Sequence, residues 1–408
     1  MSMRDFPKAA VSEKAERAIK SGHPWVYGEE VLSVDREYEN GALVDVMTKK
    51  GRFLGTGFIN DNSKIRIRIL SRNANDRFDE DFYFRRIRYA IDYRKAVMGD
   101  DFHCCRIIFG EADSFPGLTV DLFEDVLVIQ VLSLGFDKLR DMLFPLFIKA
   151  FAEYGITIRA IMERNDVAIR NKEGLEQYKA FYHCDGLTEI PDGKVHIFEN
   201  GIEYEVDIIN GQKTGFFLDQ KYNRLAAAKI SKGRTVLDCF THTGAFALNA
   251  AKAGAKHVTA VDISADAIAL TRRNAELNGL TESMDFVVAD VFDLLTEMEQ
   301  RKKCAYDYII LDPPAFTKSR STLHSAINGY KAINAKAMKL LPRGGYLATC
   351  SCSHFMTDEL FRKMLHDAAE DAGVQLRQIE ARQQAADHPI LWNVPETDYL
   401  KFYIFQVV

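Results

Sequence analysis

Hydrophobic and polar positions divide the chain into three stretches of different texture. Up to about residue 72 the apolar runs are short and broken by turn residues, at 41–46, 53–58 and 65–69. The last of them, Ile65-Arg66-Ile67-Arg68-Ile69, alternates with period two, which predicts a strand with one buried face and one face carrying arginines. Residues 77–93 have a helical, arginine-studded pattern. Strand-like runs follow at 105–108, 118–121 and 126–131, then an amphipathic helix over 136–154 and a strand over 158–163. That order predicts a compact α+β segment ending near Gly186. The remainder is more regular. Strands are expected at 235–240, 257–262, 286–290, 308–312, 345–350, 374–379 and 399–407, with helices between most of them, for example over 266–277 and 325–341. Alternating strand and helix predicts a doubly wound parallel sheet whose ligand lies at the carboxyl ends of the strands. The final run, Leu400–Phe405 by position, follows the preceding strand without an obvious helix and is expected to pair antiparallel at that end of the sheet. Three domains are therefore expected: a small β-barrel-like module over 1–75, an α+β domain over 76–187 and an α/β domain over 188–408.

Composition narrows the class. The 408 residues include 53 Lys and Arg against 58 Asp and Glu, a net charge of −5, so binding to a polyanion must use a local patch rather than bulk charge. Residues 1–75 carry thirteen basic against ten acidic side chains, a net +3, the sign an RNA-contacting module needs. On this basis Arg66 and Arg68 are expected to touch phosphate. No run of 18 apolar residues occurs and the first residues are polar, which predicts a cytoplasmic protein that neither spans a membrane nor is exported. The seven cysteines lack metal-binding spacing, so reduced thiols and no metal are expected.

Candidate chemistry sits at the strand ends. The first strand of the regular region runs out as Leu237-Asp238-Cys239-Phe240-Thr241-His242-Thr243-Gly244. A dinucleotide fold would place G-x-G-x-x-G there to approach a pyrophosphate; one glycine, Gly244, stands in the turn. An acid and a small-residue turn suit a cofactor without phosphate, and S-adenosylmethionine has an ammonium that Asp238 or nearby carbonyls can attract. Asp262 closes the second strand, where it can accept both ribose hydroxyls, and Asp290 closes the third, where it can receive the adenine amino group. Phe240 and Ile263 flank the same strand ends and complete the expected cofactor contacts. An acid at a strand end also commonly caps the next helix. The fourth strand ends Asp312-Pro313-Pro314-Ala315-Phe316-Thr317-Lys318; two prolines stiffen a loop that can present Asp312 and backbone carbonyls to a planar base, with Phe316 and Lys318 beside it. The fifth ends Cys350-Ser351-Cys352-Ser353-His354. Carbon 5 of cytosine is too weak a nucleophile to accept a methyl group until a thiolate adds to C6, so a cysteine here is a candidate nucleophile. Period two points Cys350 and Cys352 the same way, and alternation does not choose between them.

These residues resemble the bacterial 23S ribosomal RNA cytosine-5 methyltransferases that carry a PUA domain. The likeness lies in Ser21-Gly22-His23-Pro24-Trp25-Val26-Tyr27, in Gly211-Gln212-Lys213-Thr214-Gly215-Phe216-Phe217-Leu218-Asp219-Gln220, in the Asp312-Pro313-Pro314-Ala315-Phe316 loop, in Ser351-Cys352-Ser353 and in Gln384-Ala385-Ala386-Asp387-His388-Pro389. The resemblance implies an N-terminal PUA β-barrel, a small central α+β domain and a Rossmann-like class I methyltransferase domain that uses S-adenosylmethionine and acts on 23S ribosomal RNA, with a homodimer as one arrangement. It implies Cys352 as the nucleophile and Phe217 and Gln220 at the cofactor's edge. Unlike some RNA cytosine-5 enzymes, the chain has no cysteine in the strand-four loop; Asp312, His354 and a water all stand as acceptors of the C5 proton. Two other readings are a guanine N7 or N2 methyltransferase, which needs no thiol, and an RNA-binding assembly factor with an inactive methyltransferase domain.

Overall fold

The period-two runs near the N-terminus form strands because one face of each is apolar and can be buried. The computed structural model describes residues 5–301, 305–317 and 319–408. These fall into two compact units. The first comprises Met1–Val195 as far as described, Val206–Leu218 and Ala386–Thr397; the second comprises His196–Glu205, Asp219–Ala385 and Asp398–Val408.

In the first unit, β1 (Lys8–Val11), β2 (Trp25–Tyr27), β3 (Val31–Val34), β4 (Leu43–Thr48), β5 (Phe53–Ile59) and β6 (Ile65–Ser71) make one sheet among the described residues, in the order β2-β6-β5-β4-β1-β3. The pattern along the chain did not reveal β1 to β3, which are too short to show a period. Val11, Val26, Val44, Val46, Ile59 and Ile67 bury their side chains with Ala15 and Ile19 of the helix Glu13–Lys20. A second sheet takes β7 (Cys104–Phe109), β8 (Leu118–Phe123), β9 (Val126–Val131), β10 (Ala160–Arg164) and β11 (Lys179–Phe181) in the order β11-β10-β9-β8-β7. Helices Glu80–Met98 and Leu134–Glu153 pack on each other beside it.

The arginine face expected on β6 is not an open one. Arg68 is buried, and its guanidinium donates to Glu173 Oε1 at 2.7 Å, while Glu173 also accepts from Asn60 and Ser63. Arg66 is half-buried and held by Asp61 at 2.7 Å and by the Tyr38 hydroxyl at 2.8 Å. Period two identifies which side chains share a face, but a carboxylate arriving from a distant segment decides whether their charge reaches solvent. Arg68 is therefore committed to an internal ion pair, which corrects the phosphate contact expected of it, while Arg66 keeps partial exposure beside Asp61.

The second unit is built on β14 (Thr235–Cys239), β15 (His257–Asp262), β16 (Met284–Val288), β17 (Tyr308–Leu311), β18 (Tyr346–Ser351), β19 (Leu376–Arg382) and β20 (Lys401–Val407), preceded by the hairpin β12 (Lys194–Glu199) and β13 (Ile202–Asp207). The sheet order is β16-β15-β14-β17-β18-β20-β19. The first five strands pair parallel, and β20 inserts antiparallel between β18 and β19. β17 is a continuous apolar run and β14 is buried over four of its five residues, as strands covered on both faces require. Among the described residues no helix is long and apolar enough to cross a membrane.

The Arg68–Glu173 pair generates a stability prediction. Glu173→Ala removes the nearer carboxylate from a buried guanidinium, leaving Glu111 at 3.7 Å, and should cost up to about 3–5 kcal/mol in urea unfolding, whereas the double change Arg68→Met, Glu173→Leu should recover most of that loss. Equal stabilities for the single and double variants would refute this account.

Candidate active site

Strand order reverses between β14 and β17, and an open α/β sheet has a crevice at such a point. The residues that follow β14 have unusual backbone geometry: Phe240 and His242 have φ of 64° and 52°, and Gly244 has φ of 82°. At Gly244 a Cβ would stand 2.5 Å from Thr271 Cγ2, so the turn needs glycine both for its φ and for its closeness to the neighbouring helix. Asp238 braces this turn. Its carboxylate accepts from the Thr241 hydroxyl at 2.6 Å and from the Ala247 amide at 2.9 Å, both on Oδ2. Its residue is 0% exposed, and Oδ1 is buried without a hydrogen-bond partner.

Asp262 accepts the His242 amide at 3.0 Å on one oxygen and the Ser264 amide at 2.9 Å on the other, so each oxygen keeps a lone pair for a further donor. Ile263 next to it is 68% exposed, and Val288 at the end of the adjoining β16 is 54% exposed, an apolar pair bordering a carboxylate. Asp290 caps the helix Val291–Gln300, accepting from Phe292 at 2.7 Å and Asp293 at 3.3 Å on Oδ1; Oδ2 has no partner among the described residues. The helix-capping alternative and a ligand role thus coexist in one side chain.

The other side of the switch point holds a polar network. Cys350, buried on β18, donates its thiol proton to Asp312 Oδ1 at 2.9 Å, and its sulfur lies 3.4 Å from the Leu311 carbonyl. Gln220 Nε2 donates to the same Asp312 oxygen at 3.2 Å and to the Cys350 sulfur at 3.4 Å, while its Oε1 accepts from Asn223 at 2.7 Å. Burial pushes the Asp312 carboxyl up and drives the Cys350 thiol far above its usual range, with the nearby Asp312 adding to the thiol's shift. Asp312 Oδ2 has no partner among the described residues.

Cys352 lies just past the end of β18, half-buried between two buried serines. Each serine is tied down: Ser351 Oγ donates to the Tyr330 hydroxyl at 3.0 Å, and Ser353 Oγ donates to the Thr317 carbonyl at 3.0 Å. Pro313 is buried and Pro314 exposed, so the stiff loop offers one ring to solvent. Phe316 is half-buried, with its ring centroid 4.5 Å from that of Tyr330 and 5.8 Å from that of Phe292. Lys318 lies outside the described residues, as does Cys304. Phe217 belongs to the first unit, where the Lys213 ammonium sits 4.4 Å from its ring centroid. The Asp387-His388 run also belongs there: Asp387 accepts the Arg106 amide at 2.8 Å and the His388 ring lies 2.9 Å away, so this motif organises backbone.

One side chain of the site escaped the sequence reading. Lys401, on β20, is 5% exposed, and its ammonium donates to the carbonyls of Ser353 at 2.7 Å and Tyr399 at 2.8 Å. Its only signal was a single lysine within the apolar run Leu400-Lys401-Phe402-Tyr403-Ile404-Phe405.

An orphaned buried carboxylate oxygen at Asp238, spare acceptors on Asp262 and Asp290 and an exposed apolar flank fit a cofactor with an ammonium, a ribose and an adenine. With a β14 turn that lacks pyrophosphate-binding glycines, the second unit defines a class I methyltransferase. Comparison with known proteins agrees. A PUA-like domain profile matches residues 10–72, and the S-adenosylmethionine-dependent methyltransferase profile matches residues 168–397. Ribosomal RNA large subunit methyltransferase I of Shewanella denitrificans is 41% identical over 395 residues, covering 96% of this chain and 97% of the relative. The Klebsiella pneumoniae protein of that name is 37% identical over 405 residues, 99% of each chain. A putative S-adenosylmethionine-dependent methyltransferase from Streptococcus mutans shares the fold with a TM-score of 0.82 at 24% identity, covering 98% of this chain and all of that one. A putative methyltransferase complexed with S-adenosylhomocysteine has a TM-score of 0.83 at 23% identity, with the same coverage. The chain belongs to the ribosomal RNA large subunit methyltransferase I family, and its cofactor is S-adenosylmethionine.

Asp238 yields a pH prediction. Burial raises its carboxyl from 3.8 to about 7, and the neighbouring Asp312 and Asp262 charges add to the rise. A raised folded-state pKa favours the protonated folded form, so this contribution is complete below about pH 4 and is lost as pH rises through about 7. Asp238→Asn removes the titration while keeping an acceptor. Its melting temperature relative to the parent should therefore climb between about pH 4 and pH 8, and a difference independent of pH would contradict the assignment.

Proposed function

We propose that this enzyme methylates C5 of a cytosine in 23S ribosomal RNA, with Cys352 as the nucleophile that adds to C6. The observation that carries this reading is the unequal treatment of the two thiols after β18. Cys350 is buried, keeps its proton on Asp312 and has a thiol pKa far above the usual range, which makes it a poor source of thiolate. Cys352 is half-buried, and anchored serines on both sides hold its backbone still. A nucleophile needs access and a fixed position, and only Cys352 has both.

In this mechanism the Cys352 thiolate forms a bond to C6 of the cytosine, and electron density moves to C5, which becomes enamine-like. The cofactor supplies an electrophilic methyl group to that carbon. Loss of the C5 proton to a base then restores the C5–C6 double bond and expels the thiolate. Asp312, with its Oδ2 open and its carboxyl pKa raised by burial, is proposed to meet the base's hydrogen-bonding edge. Pro313 and Pro314 stiffen the loop that presents it, and Phe316 packs that loop on Tyr330. Asp262 is proposed to hold the ribose hydroxyls, Asp290 the adenine amino group, and Ile263 and Phe240 to border the adenosine. Asp238 and Gly244 shape the turn beneath it, and Gln220 ties that side of the crevice to Asp312. The PUA-like region is proposed to hold the RNA, with the partly exposed Arg66 as one phosphate contact, and with domain boundaries near residues 75 and 187.

Two outcomes test this function. Asp262→Ala should weaken S-adenosylmethionine binding by ~1–3 kcal/mol in calorimetry, the cost of losing a charged acceptor, with the fold retained; unchanged affinity would remove its role. Cys352→Ala should abolish methylation while cofactor binding stays near normal. RNA carrying 5-fluorocytidine at the target should trap a covalent adduct, because fluorine at C5 does not leave as a proton does. Peptide mass spectrometry should map it to Cys352. Full methylation by Cys352→Ala would eliminate the thiolate mechanism and favour a guanine substrate.

A further inference from the structure

Lys401 occupies a place where an ammonium is costly. It lies on β20 opposite Ser351 of β18 in the antiparallel register, and its Nζ reaches forward to the carbonyl of Ser353 at 2.7 Å and back to that of Tyr399 at 2.8 Å. The residue is 5% exposed. Among the described residues no carboxylate lies within 4.0 Å of Nζ, and the third N–H has no partner. Holding a cation in such a place costs several kcal/mol after relaxation, by order of magnitude. If Lys401 merely tied β20 to the loop after β18, a neutral donor would do so without that cost. Nζ donates to the carbonyl of the residue immediately following Cys352, and the Cys352 thiol, which the proposed mechanism must ionise, is among the groups that act on its charge.

We propose that Lys401 is a positioning residue that keeps Cys352 ionised, serving as the cationic partner of the thiolate. This rests on the reading of Cys352 as the nucleophile. The ionisable groups facing Lys401 are Asp398 and Asp358, with Cys352 and Cys350 from the strand it pairs with; each favours its charged form, and burial opposes it and brings its pKa down to about 8. At pH 7 the ammonium therefore stays largely charged, and a cation beside a thiol lowers the thiol's pKa. The two carbonyl contacts fix Nζ, so the charge is in place before RNA arrives and needs no rearrangement when the sulfur attacks.

The test reads ionisation in the full-length protein without RNA or cofactor, so it fails separately from the 5-fluorocytidine trap. Site-resolved alkylation of Cys352 by iodoacetamide, followed by peptide mass spectrometry from about pH 5.5 to pH 10, gives the thiol's apparent pKa. Lys401→Met should raise it by about one unit and slow alkylation about tenfold at pH 6.5, and Lys401→Arg should restore most of the rate. A Lys401→Met profile that overlays the parent's would overturn the proposal, as would an Arg variant that behaves like Met. Should Lys401→Met not fold by near-ultraviolet circular dichroism, the reciprocal measurement decides. Coupling between two ionisable groups acts equally on both. Cys352→Ala should then lower the pKa of Lys401, followed by the ¹³Cε shift of labelled lysine, and an unmoved titration would overturn the proposal.

Discussion

The chemistry of the second unit depends on the reversal of strand order between β14 and β17. Two parallel strands whose following helices leave in opposite directions must part at their carboxyl ends, and the gap is lined by whatever the strands end with. Here Asp238 is the last residue but one of β14, and Asp312 follows directly on β17. Burial at this edge raises both carboxyl pKa values, and each carboxyl is stabilised by a different donor set: the Thr241 hydroxyl and Ala247 amide for one, the Cys350 thiol and Gln220 amide for the other. The turn after β14 takes its left-handed φ values at Phe240, His242 and Gly244 on top of that bracing. Asp262 stitches the same turn to β15 through the His242 amide.

The same edge separates two chemically identical side chains. Cys350 and Cys352 are two residues apart on one side of a strand, yet one is locked by a hydrogen bond to a carboxyl and the other stands where β18 has run out. The difference comes from neighbours contributed by β17, β20 and the helix Leu323–Leu340: Asp312, Lys401 and Tyr330. Hydrogen bonds of Ser351 to Tyr330 and of Ser353 to Thr317 and Lys401 anchor the backbone on both sides of that sulfur. The Ser-Cys-Ser pattern thus has a mechanical content: two anchored residues around a half-buried thiol.

Polar residues inside the first unit follow a different logic. Arg68, Arg94 and Arg106 each meet a carboxylate, Glu173, Asp113 and Asp121 respectively, and Thr214 adds its hydroxyl to Asp121 at 2.6 Å. Arg68–Glu173 and Thr214–Asp121 join segments far apart in sequence, whereas the other two pairs close spans of 19 and 15 residues. Two of the segments that resemble the family, Thr214 and Asp387-His388, belong to this internal bonding. A specific motif marks a residue that must be kept, and here the need is for partner geometry rather than contact with a ligand.

By itself the sequence determined the alternating α/β order, the antiparallel last strand, the acids at the strand ends and the two candidate thiols. These were legible because they depend on local periodicity and on the order of elements, and a buried parallel strand announces its end wherever its apolar run stops. The short strands β1 to β3 were not, since three or four residues carry no period. Nor were the burial of Arg68, the engagement of Cys350 by Asp312 or the hydrogen bond from Lys401 to the Ser353 carbonyl. Each of those depends on which distant side chain arrives within about 3 Å, and hydrogen bonds and ion pairs act only over that range. Period two points residues to a face of the sheet; only the tertiary structure decides what waits there.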